Sequence, residues 1–199
     1  MLIRAKNLDT QPIVEPCLFL YRLFRDNIDS KAVILLPLLL LLSACMNPTS
    51  LFRSTYEKAS DFEIVVYGNE NYVIGDKVSL SDFDGYPVLI NFWYPSCPPC
   101  RLEIPDLEAA WQKHRARGLK VIGIQSLVLD TIEEGQGFTD EFGITYAVGP
   151  DIQSDILIKY GVVSWPTSIF LNKDHKLVRT WVGVINEEKL DEIIEPLLQ

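Results

Sequence analysis

The chain has 199 residues, 48% of them hydrophobic and 11% aromatic, which suits one packed domain plus a leader and leaves too little for two comfortable domains. Residues 1–44 hold five basic groups (Arg4, Lys6, Arg22, Arg25, Lys31) and four acidic ones (Asp9, Glu15, Asp26, Asp29), so a formal net charge of −9 becomes −10 from residue 45 onward. A body this acidic repels phosphate backbones and anionic headgroups. Nucleic acid is excluded as an expected partner, and membrane attachment requires an anchor.

The anchor is the first element in chain order. Residues 32–42 read AVILLPLLLLL, eleven apolar positions preceded by Arg22, Arg25 and Lys31; this is too short to span a bilayer and the right length for the core of a signal peptide. Leu42-Ser43-Ala44-Cys45 follows and resembles the bacterial lipobox, which implies cleavage before Cys45 and its lipidation. About thirty residues before the apolar run make a long leader, and Cys17 within them is given no role. The expected organisation is a leader over 1–44, a polar tether over 45–60 and one folded domain over 61–199.

The domain alternates strand and helix signals. Phe62–Tyr67 and Tyr72–Val78, separated by Gly68-Asn69-Glu70-Asn71, read as a hairpin. Pro87–Trp93 is a continuous apolar run, as for a strand covered on both faces. The following helix carries Ile104, Leu107 and Trp111 on one face and stops at Gly118. Lys120–Ile124 is the next buried strand, and Asp130-Thr131-Ile132-Glu133 has the spacing of a capping box. Asp151 is read as the cap of a helix through Tyr160, ended by Gly161. Thr167–Leu171 and Leu177–Val182 form an antiparallel hairpin around Asn172–Lys176. The last helix aligns Leu190, Ile193, Ile194, Leu197 and Leu198 in one apolar stripe. The expected fold is α/β, a mixed central sheet flanked by helices.

The chemistry lies where the first buried strand meets the first long helix, in Trp93-Tyr94-Pro95-Ser96-Cys97-Pro98-Pro99-Cys100-Arg101. Thiols exchange as thiolates, and a helix N-terminus favours negative charge through its free N–H groups. Cys97 is placed at the cap, with Pro98 in the first helical position, where its missing donor costs nothing. Cys97 is read as the exposed attacker and Cys100 as the buried resolver. A zinc half-site would need two more ligands; His114 and His175 stand at no ligand spacing and are read as solvated surface residues, so no metal is assigned. A structural disulfide is the other alternative, although a two-residue loop gains little chain entropy.

The segment NFWYPSCPPCRLEIPDL resembles the active-site strand and helix of the TlpA/ResA branch of the thioredoxin superfamily, and Val163–Phe170 is similar to that family's cis-proline loop. The resemblance covers 61–199, and Pro166 stands 66 positions after Cys100, room for an inserted helix–strand unit. It implies a thioredoxin-like fold with an N-terminal β-hairpin. No cofactor is implied beyond the redox-active Cys97–Cys100 disulfide, and Glu103 is implied as an acid–base group near the buried thiol. Asn91 stands where thioredoxin has a buried aspartate. Trp165–Pro166 is expected to be a cis peptide, with Trp93, Tyr94, Trp165 and Pro166 forming the apolar rim that binds substrate. The implied activity is an extracytoplasmic, lipid-anchored protein-disulfide reductase of the cytochrome c maturation type. It would be monomeric, act on cysteine-containing client proteins and be recharged by a membrane thiol electron donor. The proline pair between the cysteines offers no N–H to a thiolate, which points the same way. A Cu(I) metallochaperone using the same cysteines and a thiol peroxidase are the alternatives; for the peroxidase, Tyr94 stands where a threonine is wanted three residues before the cysteine.

Overall fold

The computed structural model describes residues 57–199. The leader, Cys45 and most of the expected tether lie outside the described residues. Among those described, no helix is long and apolar enough to cross a membrane.

The N-terminal hairpin pairs β1 (Glu63–Val65) antiparallel with β2 (Lys77–Ser79). Its regular part is shorter than the apolar pattern suggests. The connecting loop is instead organised by its asparagines: Asn69 accepts from the Asn71 and Tyr72 N–H groups, and both asparagines donate to the carbonyls of Tyr146 and Thr145.

The main sheet runs in the order β5-β4-β3-β6-β7, from β3 (Val88–Trp93), β4 (Lys120–Ser126), β5 (Ala147–Asp151), β6 (Thr167–Leu171) and β7 (Leu177–Val182). Strands β3, β4 and β5 are parallel, while β6 runs antiparallel to β3 and β7 antiparallel to β6. The helices are α1 (Pro98–His114), α2 (Ile132–Phe142), α3 (Asp155–Tyr160) and α4 (Glu187–Ile194). Helix α2, strand β5 and helix α3 lie in the segment between Cys100 and Pro166.

Strand alternation divides the core between the two faces of the sheet. Leu89 and Trp93 face one cluster, which includes Ile104, Leu107 and Trp111 from α1, Phe138 from α2, and Leu190 and Ile194 from α4. Val88, Ile90 and Phe92 face the other, with Phe62, Ile64, Ile156 and Leu157. Wholly buried β3 is therefore a strand packed on both sides.

Several local expectations shift. The capping box of α2 begins at Thr131 and closes with Glu134, one residue later than read. Asp151 is the last residue of β5 and Ser154 stands at the N-cap position of α3, but the capping bond is the expected one: the buried Asp151 carboxylate accepts the first-turn Leu157 N–H at 2.8 Å. His114 and His175 are not solvated surface residues. Both are buried, His114 with Nε2 2.7 Å from Asp191 of α4, and His175 with Nε2 3.0 Å from the Phe83 carbonyl. Each imidazole fills space between elements distant in sequence, which local spacing cannot reveal.

The described chain begins at the end of the sheet remote from the cysteines. Lys58 bridges Lys176, beside the β6–β7 turn, and the Ala59 N–H donates to the His175 carbonyl at 2.8 Å. In the β3–β6 register Leu171 opposes Val88, whereas Thr167 opposes Phe92. The turn therefore lies by the start of β3 and the cysteines beyond its end.

Candidate active site

Strand β3 ends at Trp93, and four residues later Cys97 caps α1. The turn between them closes through the Cys97 N–H, which donates to the Tyr94 carbonyl at 3.1 Å. Cys97 has extended backbone geometry; Pro98 and Pro99 occupy the first two helical positions, and the first available donor, the Cys100 N–H, reaches Cys97 Sγ at 3.2 Å. The two sulfurs are joined as a disulfide across a Cα–Cα distance of 5.2 Å.

In this oxidised form the expected contrast between an exposed Cys97 and a buried Cys100 is absent: their exposures are 1% and 0%. Both cysteines belong to the buried cluster that includes Trp93 and Ile104, while the flanking Ser96 and Pro98 face solvent. Trp93 is likewise no part of an open rim. It is fully buried and stacks on Phe138 at 4.5 Å between ring centroids, because it shares the inward face of β3 with Leu89 and Asn91.

Tyr94 and Trp165 do meet. Both are half-buried, and their rings pack edge to face at 5.7 Å. The Trp165–Pro166 peptide is cis. Pro166 leads into β6 directly before Thr167, which opposes Phe92, so it stands beside the end of β3 that leads into Cys97. Its carbonyl accepts the Gly183 N–H at 2.8 Å.

Glu103 lies one turn beyond Cys100, completely buried. Asn91 Nδ2 donates to its Oε1 at 2.7 Å and the Ile185 N–H to its Oε2 at 3.1 Å; the same Asn91 amide also reaches Ser168 Oγ at 3.1 Å. Burial pushes the Glu103 carboxyl up to about 7, against the pull of these two donors. A carboxyl poised near neutrality beside a thiol pair can hold or release a proton at physiological pH.

Three supporting groups were not legible as site residues. Asp130 binds Ser96 from the β4–α2 loop, and the Ile185 N–H comes from the β7–α4 loop. Arg101 pairs with Glu141 while its guanidinium covers the rings of Phe138 and Phe142 at 5.3 and 4.8 Å. Only Arg101 carried a local signal, its adjacency to Cys100. Among the described residues, no group of three or more His, Cys, Asp or Glu side chains could hold a metal ion.

A thioredoxin-like sheet, a CxxC pair opening a helix and a cis-proline beside it define a thiol–disulfide oxidoreductase. The chain belongs to the AhpC/TSA family, whose model matches residues 55–180. It is similar to thiol-disulfide oxidoreductase ResA of Bacillus cereus, with 30% identity over 166 residues covering 80% of this chain and 92% of the relative. Its fold is similar to a Chlorobium tepidum protein assigned as the thiol:disulfide interchange protein DsbE (27% identity, TM-score 0.63, 72% of this chain and 96% of that one). A DsbF homologue from Corynebacterium diphtheriae is also similar (25% identity, TM-score 0.62, 73% and 89%).

Proposed function

We propose that this protein reduces disulfides in client proteins outside the cytoplasmic membrane, in the manner of cytochrome c maturation, while held there by a lipid on Cys45. Cys97 thiolate attacks one sulfur of a client disulfide, forming a mixed disulfide and expelling the other client sulfur as a thiolate. Cys100 then attacks Cys97, which releases the second client sulfur and leaves the Cys97–Cys100 disulfide. Two electrons and two protons pass to the client, and a membrane thiol donor restores the dithiol. Glu103 takes the proton from Cys100 during resolution. Tyr94, Trp165 and Pro166 receive the client chain, with backbone groups at the cis-proline giving affinity and the aromatic pair tuning choice.

The observation that carries the reductase reading is the cap of α1. Cys97 Sγ has a single helical N–H within reach, that of Cys100, because Pro98 and Pro99 supply none. A thiolate with few donors is less stabilised, which disfavours the reduced form and makes the pair a reductant. Cys100→Ser should therefore accumulate mixed disulfides through Cys97 in cells, identifiable after non-reducing electrophoresis, and Cys97→Ser should not. Adding Trp165→Thr should slow capture of a peptide disulfide several-fold and leave a small disulfide nearly unaffected. Capture through Cys100 in the Cys97→Ser protein would reverse the roles. Equal losses on both disulfides would remove Trp165 from client binding.

The anchor has its own test. Mass spectrometry of the membrane fraction should find a mature N-terminal Cys45 carrying acyl chains, and Cys45→Ala should release the protein from that fraction. An intact leader on a protein recovered outside the membrane fraction would contradict it.

A further inference from the structure

The β4–α2 loop carries a carboxylate that takes no part in the thiol exchange itself. Asp130 is 8% exposed, and its Oδ2 accepts two hydrogen bonds from the residue before Cys97: the Ser96 N–H at 3.2 Å and the Ser96 hydroxyl at 2.9 Å. The loop is pinned on its far side. Thr131 caps α2 through reciprocal bonds with Glu134, and Gln125 Nε2 donates to the Thr131 carbonyl at 2.8 Å. Tyr67 in turn hydrogen-bonds the Gln125 side chain. These bonds fix the backbone beside Asp130, and the two bonds from Ser96 hold its carboxylate against the cysteine turn.

Two effects follow at Cys97. The Tyr94–Cys97 turn is closed on one side by the Cys97 N–H to Tyr94 carbonyl bond and on the other by Asp130. The electrostatic effect has the opposite sign to the helix cap. The N-terminus of α1 favours a negative sulfur, whereas a fixed negative charge bonded one residue away disfavours it. The other charged groups nearby are already engaged. Arg101 is paired with Glu141 and stacked on Phe138 and Phe142, and Glu103 is bound to Asn91 and Ile185. Glu133 and Glu134 open α2, with Glu134 bound to Thr131; the cis-proline loop over 162–166 and the 183–186 loop carry no charged side chain.

We propose that Asp130 is a positioning residue that locks the Ser96–Cys97 turn and, through its fixed charge, holds the attacking thiol less acidic than the helix cap alone would make it. The idea rests on the reading of Cys97 as attacker. Its consequence is a more strongly reducing pair, since whatever destabilises the Cys97 thiolate raises the free energy of the dithiol relative to the disulfide.

The test measures Cys97 alkylation by iodoacetamide against pH in the Cys100→Ser protein, with and without Asp130→Asn, which keeps an acceptor oxygen and removes the charge. The alkylation midpoint should fall by about one pH unit, and the rate at pH 6 should rise roughly threefold to tenfold. With both cysteines restored, Asp130→Asn should hold a larger dithiol fraction in a glutathione buffer. Ser96→Ala keeps the charge and loses one hydrogen bond, so its midpoint should match the parent. Asp130→Ser, neutral and smaller, repeats the measurement if Asp130→Asn does not fold. Superimposable profiles for the parent and the neutral variant overturn the proposal, as does a Ser96→Ala shift equal to that of Asp130→Asn. Faster alkylation of Cys100 than of Cys97 in single-cysteine proteins would strike the attacker assignment instead.

Discussion

Gly149→Ala should lower the thermal midpoint of the oxidised domain by roughly 5–10 °C, the result of about 2–3 kcal/mol of lost stability. Gly149 sits in β5 beneath the end of β1. A Cβ there would lie 2.4 Å from the Val65 carbonyl oxygen and 3.1 Å from its carbon, so backbone meets backbone and no side chain can yield. The strands would part, and the Tyr67 N–H to Val148 carbonyl bond at 2.8 Å, which ties the hairpin to β5, would stretch with them. Gly137 provides the contrast. It is exposed in the interior of α2 with open space where a Cβ would go, so Gly137→Ala should raise stability by about 0.5–1 kcal/mol through helix propensity. Differential scanning calorimetry on the two variants reads both signs. Equal midpoints for Gly149→Ala and the parent would mean that the hairpin is free to lift from the sheet at no cost.

The stability of the oxidised protein should fall as pH rises from about 4.5 to about 7, and Glu103→Gln should remove that part of the dependence. Burial raises the carboxyl from its ordinary 4.5 to about 7. Between those values the folded protein holds a proton that the unfolded chain has released. Stability contributed by the neutral acid is therefore fully present below about 4.5 and lost as the pH passes through about 7. The size of the change is on the order of 3 kcal/mol. Glutamine can fill the site, because Asn91 Oδ1 is buried without a partner and an amide flip would offer it to the new donor. The measurement is the urea midpoint from pH 4.5 to 8, with the disulfide intact so that neither thiol titrates. Parallel curves for the parent and the Glu103→Gln variant would show that the carboxyl is ordinary and unsuited to neutral-pH proton transfer.

Features set by neighbours in sequence were legible, and those set by distant contacts were not. Cys97 at a cap, prolines at the first two helical positions, the Gly118 stop and the apolar stripe of the last helix as far as Ile194 follow from helix geometry; α4 ends there, and Leu197 and Leu198 continue the stripe in a 3-10 turn. The turn before Pro166 was legible through its resemblance to a known loop. Trp93 was misplaced although its direction was available, since it shares alternate strand positions with Leu89 and Asn91. Asp130 could not be found because its partner Ser96 is 34 residues away, and His114 and His175 were misread because their partners lie 77 and 92 residues away. The burial of Cys97 was not legible at a helix start, because it comes from the cluster that Cys97 joins with Trp93 and Ile104.

The position at which the chain joins the sheet, beside the β6–β7 turn, separates two quantities that are often coupled. Residues 57–59 meet the sheet by the start of β3, and Cys97 follows its far end, so a full strand length, about 20 Å, lies between them. The hydrogen bonds that seat residues 57–59, where the stretch from Cys45 arrives, share no partner with those at the thiols. With the anchor proposed above, that stretch would govern how often the domain collides with its donor and its clients, as an effective concentration does. The loops around Cys97 would govern only what happens once they have met.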